Sequence, residues 1–432
     1  MPITRPATAA PPPTARRALV LAAAVALAAT GCTAFNSAAG SAELAAKAPI
    51  PATAARHGAG GANTAQVVKA ANAFLATLTA EQKDTALYDF DDPAKKTGWS
   101  NFPTPVVARN GLKFGDLTDE QEAAALKVME AALSKKGYEE LVEIRKADDY
   151  LAALPDDGTG GGGTGGPGGG TPTATPTATP TDSPTDSPTD SPTDSPTDSP
   201  TGTPTGTPTG GPRPRGGGGG GANFGSDWYY ISFFGLPSRT GEFTVQYGGH
   251  HAAYNITYAG KNVSISPTLT AVEPMEFTWE DLYYAPLADK RSSSVGAVQA
   301  LTDEELAAAE IDGSFDDLYL GPGHDGPFPA PQGVLVSSLT KKQQAKVTAM
   351  LRAWVDDLDE RAARRLLAKY VSEYDRTYLG WSGGTTLDND QTYIRLDGPS
   401  AWVEFSNQPG ASTDGIHQHT IFRDETADYG WE

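Results

Sequence analysis

Cysteine is almost absent from this chain: the 432 residues include one, Cys32, so no disulfide can form within the molecule. Basic residues are also scarce, with 33 Lys and Arg against 53 Asp and Glu, which gives a formal net charge of −20. Nucleic-acid binding needs clustered cations that displace counterions, so this balance argues against a nucleic-acid partner. Histidine is scarce as well, with six in the chain, and the positions of those few are therefore informative.

The N-terminal segment has the features of an export signal. Arg16 and Arg17 precede a short apolar run, and no acidic residue occurs before residue 32. The Ala-Thr-Gly-Cys sequence at 29–32 is similar to the lipobox at which bacterial lipoproteins are cleaved and acylated. We therefore expect residues 1–32 to be a signal peptide, and Cys32 to carry a lipid that anchors the protein to the outer face of the membrane. The alternative is a secreted protein, because alanine stands at position 29 where leucine is commoner.

Composition divides the rest of the chain into four stretches. Residues 33–63, mostly Ala, Gly and Ser, form a predicted tether, and residues 155–222 carry Gly runs and Thr-Asp-Ser-Pro repeats that bury too little apolar surface to fold. Residues 64–154 show helical apolar spacing, while residues 223–432 contain strand-like and helical segments. The order predicts an α+β fold, with capped helices packed on a largely antiparallel sheet. We prefer one domain interrupted by a disordered Gly/Thr/Pro insertion, since each doubling of a loop costs only about 0.6 kcal/mol.

Four helix starts share one signal: a leucine, a threonine, and a Gln or Glu three residues after the threonine. This is the capping box, in which the threonine and the third residue satisfy each other's backbone N–H groups. The pattern predicts four helices with defined N-termini. It also allows an internal duplication, although capping alone is sufficient to explain it. The threonines are Thr79, Thr118, Thr302 and Thr340.

Four of the six histidines fall in two short segments, Gly-His-His at 249–251 and His-x-His at 417–419. Both segments are expected strands, over 250–258 and 416–422, and residues two apart on a strand share a face. His417 and His419 therefore form a same-face pair, His251 is the expected third ligand, and His250 is assigned to the core or to a supporting contact. Imidazoles in this number suit a divalent transition metal, Zn, Cu or Fe. The alternative for His-x-His is ordinary sheet hydrogen bonding.

Polar residues near these histidines in sequence are the candidate catalytic groups: Glu404, Asp424 and Arg423. If the metal kept an open position, the protein would be a hydrolytic or oxidative enzyme. The alternative is a non-catalytic surface lipoprotein that carries metal or binds a small-molecule or cell-surface ligand. The aromatic residues expected to line the cleft in that case are Trp228, Tyr229, Trp381 and Tyr393.

A less favoured catalytic site is the Gly-x-Ser-x-Gly sequence around Ser382, which with Asp397 or Asp414 and His417 follows the residue order of α/β-hydrolases. That motif requires a helix directly after the serine, whereas residues 384–390 predict a turn that leads to a strand. A serine hydrolase is therefore the least favoured function. Other carboxylates, such as Asp317, are expected to be solvated or helix-end charges.

Short motifs recur through the two stretches that are expected to fold. They are Phe234-Gly235-Leu236-Pro237, Gly249-His250-His251, Glu273-Pro274, Leu379-Gly380-Trp381-Ser382-Gly383, Tyr393-Ile394-Arg395, Gly398-Pro399, Glu404-Phe405, His417-Gln418-His419 and Arg423-Asp424. Together they resemble the bacterial domain-of-unknown-function 3500 family, over about residues 64–154 and 223–432. The resemblance implies a secreted or periplasmic protein without an established activity. The Gly/Thr/Pro stretch stands where that family has a short connection.

Overall fold

The structure is a computed structural model, and it describes residues 63–104, 106–154 and 224–431. The predicted signal peptide with Cys32, nearly all of the predicted tether and the predicted linker over 155–222 lie outside the described residues. Within the described part the fold is α+β, as the sequence predicts, with helices packed on a mostly antiparallel sheet. None of the described helices is long and apolar enough to cross a membrane.

Residues 64–154 and 224–272 contain the first of two similar units, which we call the first repeat. Its helices begin at capped or apolar-patterned segments and bury one face; in α1, for example, Val67, Ala71 and Phe74 are buried. The helices are α1 (Thr64–Thr77), α2 (Ala80–Ala86), α3 (Ala94–Thr97), α4 (Asp119–Ala132) and α5 (Lys135–Ala153). The strands are β1 (Leu87–Tyr88), β2 (Leu112–Lys113), β3 (Tyr230–Phe234), β4 (Glu242–Gly248), β5 (Ala252–Ala259), β6 (Asn262–Ser264) and β7 (Thr268–Val272).

A hairpin of β8 (Phe277–Trp279) and β9 (Leu282–Tyr284) leads to the second repeat, residues 288–424. The helices of this repeat are α6 (Ala288–Val298), α7 (Asp303–Ala309), α8 (Lys341–Val355) and α9 (Glu360–Val371). Its strands are β10 (Val334–Leu335), β11 (Tyr378–Ser382), β12 (Tyr393–Asp397), β13 (Ala401–Pro409) and β14 (Ile416–Asp424).

Both repeats contribute to one sheet, in the order β1-β3-β4-β5-β7-β14-β13-β12-β11-β10, with β2 on β3 and β6 on β5. The last strands of the two repeats, β7 and β14, meet at the centre, with Thr268 opposite Phe422. These pairings are antiparallel, apart from the parallel pair of β1 and β3. Residues on either side of the predicted linker therefore belong to the same sheet.

The strand pairing is repeated between the two units. In the first repeat β2 pairs with β3 through Leu112 opposite Ile231, and in the second β10 pairs with β11 through Val334 opposite Leu379. Each of these short strands leads into a 3-10 turn and then into a capped helix, α4 in the first repeat and α8 in the second. The structure thus shows a structural repeat that the sequence allowed but did not require.

A glycine precedes each of these short strands in the same left-handed conformation. The φ angle is 88° at Gly111 and 108° at Gly333, a region that other residues rarely adopt. A Cβ atom would lie 2.1 Å from the carbonyl oxygen of Ile231 at the first glycine and 2.3 Å from that of Leu379 at the second. The same close backbone approach therefore fixes the same turn in both repeats.

All four predicted capping boxes are present. In each repeat the third residues of the two boxes also bond to each other, Gln121 donating to Gln82 and Gln343 donating to Glu305. The capping signal therefore marks the helix starts and also joins the helices in pairs. The capping threonines, at the starts of α2, α4, α7 and α8, are Thr79, Thr118, Thr302 and Thr340.

The two faces of the sheet are covered differently. Helices cover one face, where inward residues such as Val347, Leu351 and Trp354 of α8 are buried in the main core. Loops cover the other face, where the segments 98–111 and 312–332 enclose a smaller apolar cluster that includes Leu269 and Ile421. We call these the helix face and the loop face.

Candidate metal centre

The clustered histidines lie at one end of the sheet, where several strands begin or end. β5 and β14 both start there, because each runs antiparallel to β7, which lies between them. His250 and His251 come directly before β5, so the strand expected over 250–258 begins two residues later, at Ala252. His417 is the second residue of β14, and Glu273 directly follows β7. The chain thus delivers side chains from three strand ends to one place.

Three imidazole rings converge through their Nε2 atoms. His417 Nε2 lies 3.0 Å from His251 Nε2 and 3.0 Å from His419 Nε2, and all three side chains are buried. Two nitrogens bound to one metal at about 2.0–2.1 Å are about 2.9 Å apart at a right angle and about 3.3 Å apart at the tetrahedral angle. The two separations fall within this range. The structure therefore brings together the three histidines that strand alternation pointed to.

Carboxylates contact the opposite nitrogen, Nδ1, of two of these rings. Asp148 of α5 makes a short hydrogen bond with His251 Nδ1. Asp317 Oδ1, on the loop face, lies 2.7 Å from His419 Nδ1. A carboxylate at Nδ1 keeps the ring proton there and leaves Nε2 with its lone pair, which is how metal-binding histidines are usually oriented.

The third ring, His417, has a more distant carboxylate. Glu273 Oε2 lies 3.6 Å from His417 Nδ1, beyond hydrogen-bond length but close enough for charge attraction. The other carboxylate oxygen of Glu273 accepts from the backbone N–H groups of Ser412 and Thr413, at 2.6 and 2.7 Å. These bonds fix the carboxylate on the turn that leads into β14.

The hydrogen bonds create a conflict among the ring nitrogens. When Nδ1 of His251 and of His419 donates to its carboxylate, each neutral ring presents a bare lone pair at Nε2. The side-chain amide of Gln408 also lies 2.9 Å from His419 Nδ1. The Nε2 atom of His417 lies between those two Nε2 atoms and can carry at most one proton. One of the two 3.0 Å contacts would then join two lone pairs, unless a cation lies among the rings. A cation among the rings would remove this conflict.

Burial makes protonation of His251 and His417 unfavourable. Desolvation, and secondly the charge of His419, lower the pKa of His251 and of His417 well below the usual histidine value. Desolvation raises the pKa of Asp148 to about 6. Desolvation would also raise the pKa of Asp317, but the nearby His419 and the hydrogen bonds to the carboxylate lower it overall. His251 and His417 therefore stay neutral at neutral pH and offer lone pairs.

His250 adds a fourth imidazole beside the cluster. Its ring lies 3.9 Å from the His251 ring and 4.9 Å from Phe224, and its Nδ1 is buried with no hydrogen-bond partner among the described residues. His250, His251 and His417 can bring one nitrogen each within 4.8 Å of one another, so this group could hold a metal ion. The criterion of ligand atoms within 4.8 Å of one another therefore gives His250 as the third ligand beside His251 and His417. The 3.0 Å Nε2 contacts give His419 instead. The set with His419 is better oriented, because a carboxylate holds that ring.

Further contacts hold the orienting carboxylates. Asp317 accepts from the backbone N–H of Leu318 at 2.6 Å and from the side chain of Asn101 at 3.3 Å. The hydroxyl of Tyr229 donates to Asp148 at 2.7 Å. The orientation of the rings therefore depends on both loops of the loop face and on helix α5.

Comparison with known proteins places the chain in a family. A family model described as a protein of unknown function, DUF3500, matches residues 60–431. This chain belongs to the DUF3500 family. No curated protein and no solved structure matches it. The match confirms the resemblance carried by the sequence motifs.

Glu404, a predicted catalytic residue, anchors the loop that carries Asp317. Its side chain is fully buried, and burial raises its pKa. Each carboxylate oxygen accepts two hydrogen bonds, so no lone pair remains for a metal or a substrate. The structure does not bring Glu404 into the histidine cluster. The four donors are the backbone N–H groups of Tyr319 and Leu320, the hydroxyl of Tyr393 and the indole N–H of Trp402.

Arg423, another predicted catalytic residue, lies on the loop face as expected but is engaged elsewhere. It donates to the carbonyl oxygen of His324 at 3.2 Å and forms ion pairs with Asp325 and Asp428. Desolvation would lower its pKa, but these carboxylates raise it. Arg423 therefore links the part of the 312–332 segment around Asp325 to β14.

Asp424, the third predicted catalytic residue, lies on the helix face. The alternation that puts His417 and His419 on the loop face puts residue 424 on the opposite side. Its carboxylate accepts from the hydroxyl of Tyr370 at 2.6 Å and pairs with Lys369 at 3.3 Å. Asp424 therefore does not meet the histidines, and its odd spacing of seven residues from His417 could have shown this in the sequence.

Ser382 does not form the site of a serine hydrolase. Its hydroxyl donates to the carbonyl oxygen of Gly313 at 2.6 Å, and a turn rather than a helix follows β11. Strands β12 and β13 separate β11 from β14, which keeps Ser382 away from His417. Among the described residues the serine therefore has no catalytic histidine.

The aromatic residues predicted to line one cleft are spread across the sheet. Trp228 and Tyr229 lie beside β3 in the first repeat, where Tyr229 is fully buried. Trp381 and Tyr393 lie on β11 and β12 of the second repeat. β3 and β11 are near opposite edges of the sheet, so these residues do not share a cleft.

Sequence reasoning missed the three carboxylates at the cluster, Asp148, Glu273 and Asp317. They come from a helix, a strand end and a loop, and no spacing between them signals a common site. Asp317, expected to be a solvated charge, instead contacts His419. The one available hint was the Glu-Pro motif at 273–274 among the motifs of the family.

Proposed function

We propose that this DUF3500 protein is an exported metalloprotein in which His251, His417 and His419 hold one divalent transition-metal ion for a hydrolytic or oxidative reaction on a small molecule. The observation that carries the proposal is the convergence of three buried Nε2 atoms whose rings have carboxylates near Nδ1. Neutral imidazole nitrogens suit Zn, Cu and Fe.

Three protein ligands leave one coordination position open, where such an ion activates water or polarises a substrate oxygen. The chain's own groups have separate tasks. Asp148 and Asp317 keep protons at Nδ1 of two ligand rings and fix their orientation. His250 supplies a proton acceptor, because its Nδ1 is buried without a described partner beside the cluster. His250 thus takes the acid–base role that the sequence suggested for Glu404 and Asp424.

Metal content tests the central claim. Protein purified without a histidine tag is expected to contain about one equivalent of Zn, Cu or Fe by elemental analysis, in keeping with one three-ligand site. The double variant His417→Ala/His419→Ala should contain almost none. His324→Ala is the matched control, because this exposed histidine lies outside the cluster. Metal that is absent from the wild type after loading, or unaffected by the double substitution, would remove the proposal.

A non-catalytic metal carrier is the second candidate, and His250 favours it. Since His250, His251 and His417 also lie within reach of one ion, a fourth imidazole would close the coordination sphere. X-ray absorption spectroscopy of the metal-loaded protein separates the two functions by counting imidazole ligands. Three imidazoles in both wild type and His250→Ala support the enzyme. Loss of one imidazole in His250→Ala supports the carrier.

Export and lipid attachment rest on the sequence of residues 1–32. The basic start, the apolar run and the Ala-Thr-Gly-Cys end support acylation of Cys32 and anchoring at the outer face of the membrane. In a bacterial host, labelled fatty acid should be incorporated into the wild type but not into Cys32→Ser. An unlabelled, soluble wild type found in the medium would instead show a secreted protein.

A further inference from the structure

Corresponding strands of the two repeats differ in how their buried polar side chains are satisfied. β3 of the first repeat corresponds to β11 of the second. Following the strand pairs from there, β4 corresponds to β12 and β5 corresponds to β13. In the first repeat, Gln246 of β4 donates to Asn255 of β5 at 2.7 Å and to the carbonyl oxygen of Lys95 at 2.8 Å. Asn110 donates to the side-chain oxygen of Gln246 at 2.7 Å. The loop above this pair therefore completes its hydrogen bonds.

In the second repeat, Arg395 and Glu404 take the places of Gln246 and Asn255. Arg395 is fully buried, and none of its three guanidinium nitrogens has a hydrogen-bond partner within the described parts of the chain. Glu404 lies opposite on β13, but its four acceptor positions are filled by other donors. The hydroxyl of Tyr393 donates to Glu404, and its oxygen is the one described acceptor close to the guanidinium. A cation with five N–H donors is thus buried with at most one acceptor among the described residues.

Stacking accounts for only part of this burial. The guanidinium lies 4.9 Å from the centre of the Trp402 ring, a contact that satisfies charge but none of the N–H groups. Leaving a buried donor without an acceptor is unfavourable, and more so when the donor is charged. The covering segment offers one buried, unpartnered side-chain group, the amide oxygen of Gln332. Acceptors for most of the five N–H groups are therefore not supplied by the described residues.

Further unsatisfied polarity leads from Arg395 towards the histidines. Ser406 of β13 lies directly between Tyr393 of β12 and His419 of β14. Its hydroxyl is buried and has no partner among the described residues, whereas the corresponding Thr257 bonds to Thr244 at 2.8 Å. Strands are spaced by about 4.8 Å, so Tyr393 and His419 are about 10 Å apart across the sheet. Arg395 is two residues along β12, on the same face.

We propose that Arg395 binds an oxyanion, the carboxylate or phosphate of a small molecule that lies between β12 and the segment 312–332. A planar guanidinium pairs with either group through two parallel hydrogen bonds. The anion site stands on Arg395 alone. That the bound molecule is also the substrate of the histidine centre rests on the proposed function, with Ser406 beneath the path between them. Because Arg395 is fully covered, the 312–332 segment must move for the ligand to enter.

Calorimetric titration of the full-length, metal-free protein tests the anion site. The probes are inorganic phosphate and succinate, at an ionic strength held constant with sodium chloride. The wild type should bind at least one of them saturably. Phosphate alone would point to phosphate esters, and succinate alone would point to carboxylic acids. Absence of saturable binding for both probes overturns the proposal.

Substitutions assign the binding to Arg395. Arg395→Gln, which installs the residue type of the first repeat, should weaken anion binding at least tenfold. Arg395→Lys keeps the charge but loses the two-pronged geometry, so weaker binding by this variant decides the matter even if Arg395→Gln does not fold. Arg376→Gln, at an exposed arginine, is the control and should bind as the wild type does. Equal binding by Arg395→Lys and the wild type would show that the anion lies elsewhere.

The two proposals fail separately in this design. His417→Ala/His419→Ala should lose metal yet bind the anion as the wild type does. If that variant keeps its metal but anion binding depends on Arg395, the metal centre is wrong and the anion site stands. If metal depends on the histidines but no probe binds, the anion site is wrong.

Discussion

The two repeats build the same strand ends but equip them with different chemistry. A glycine N–H donates to the carbonyl three residues later in both, from Gly249 to Ala252 and from Gly398 to Ala401, each at 2.8 Å. The residue directly before each of those alanines is His251 in the first repeat and Ser400 in the second. One scaffold position thus carries an imidazole, a candidate metal ligand, in one repeat and a hydroxyl in the other.

The helices repeat this contrast. Leu133 and Leu358 pair with each other across the two repeats, and the fifteenth residue after each is Asp148 and Glu373. Asp148 contacts His251, and Glu373 accepts from the hydroxyl of Ser400 at 2.8 Å. A carboxylate therefore holds the residue before the strand in both repeats, from within helix α5 in the first and from the turn after helix α9 in the second. Only the first repeat has an imidazole at this position, so the shared scaffold does not by itself produce the candidate metal centre.

The largest difference should come from the polar pair on β5 and β13. Glu404→Ala leaves four buried donors without an acceptor and should lower the free energy of unfolding by about 3–5 kcal/mol. Asn255→Ala at the corresponding position removes fewer bonds and should cost about 1–3 kcal/mol. Urea denaturation of both variants measures the two costs. A Glu404→Ala variant as stable as Asn255→Ala would mean that Glu404 does not anchor the 312–332 segment.

The carboxylates of Asp148 and Glu373 should differ in their effect on metal affinity. Asp148→Asn weakens the acceptor that holds the proton on His251 Nδ1, and loss of such a contact typically weakens metal binding about 10–100-fold. Glu373→Gln changes the corresponding carboxylate, which contacts Ser400, and should leave the affinity unchanged. Competition with a chromophoric chelator measures both. Equal losses in the two variants would indicate a general loss of structure and would contradict the orienting role of Asp148.

Much of the fold could be predicted from local sequence signals, because those signals act over a few residues. Capping threonines marked the starts of α2, α4, α7 and α8, and strand alternation placed His417 and His419 on one face. The site was only half predictable, since the carboxylates reach it through tertiary packing. Asp148 is 103 residues from His251 in the chain, and Asp317 is 102 residues from His419. No local pattern encodes such contacts.

The catalytic assignments failed for a related reason. Glu404 and Arg423 have the right residue types and lie on the loop face, but nearby donors and acceptors take up their polar groups. Only the packed structure shows that a buried carboxylate already accepts four hydrogen bonds. Residue type in a sequence indicates what a side chain can do, and the neighbours decide whether it remains available.

The smallest predicted effect concerns two caps that the repeats share. Thr118 caps α4 and Thr340 caps α8. The hydroxyl of each threonine accepts from the backbone N–H of the residue three positions later, and the side chain of that residue accepts from the backbone N–H of the threonine. Replacing either threonine by alanine should cost about 1 kcal/mol of unfolding free energy. Because the two caps have the same contacts, the losses measured by urea denaturation should agree closely. A difference of more than about 1 kcal/mol, as large as a typical cap itself, would show that the repeats are alike in backbone pairing but not in local energetics.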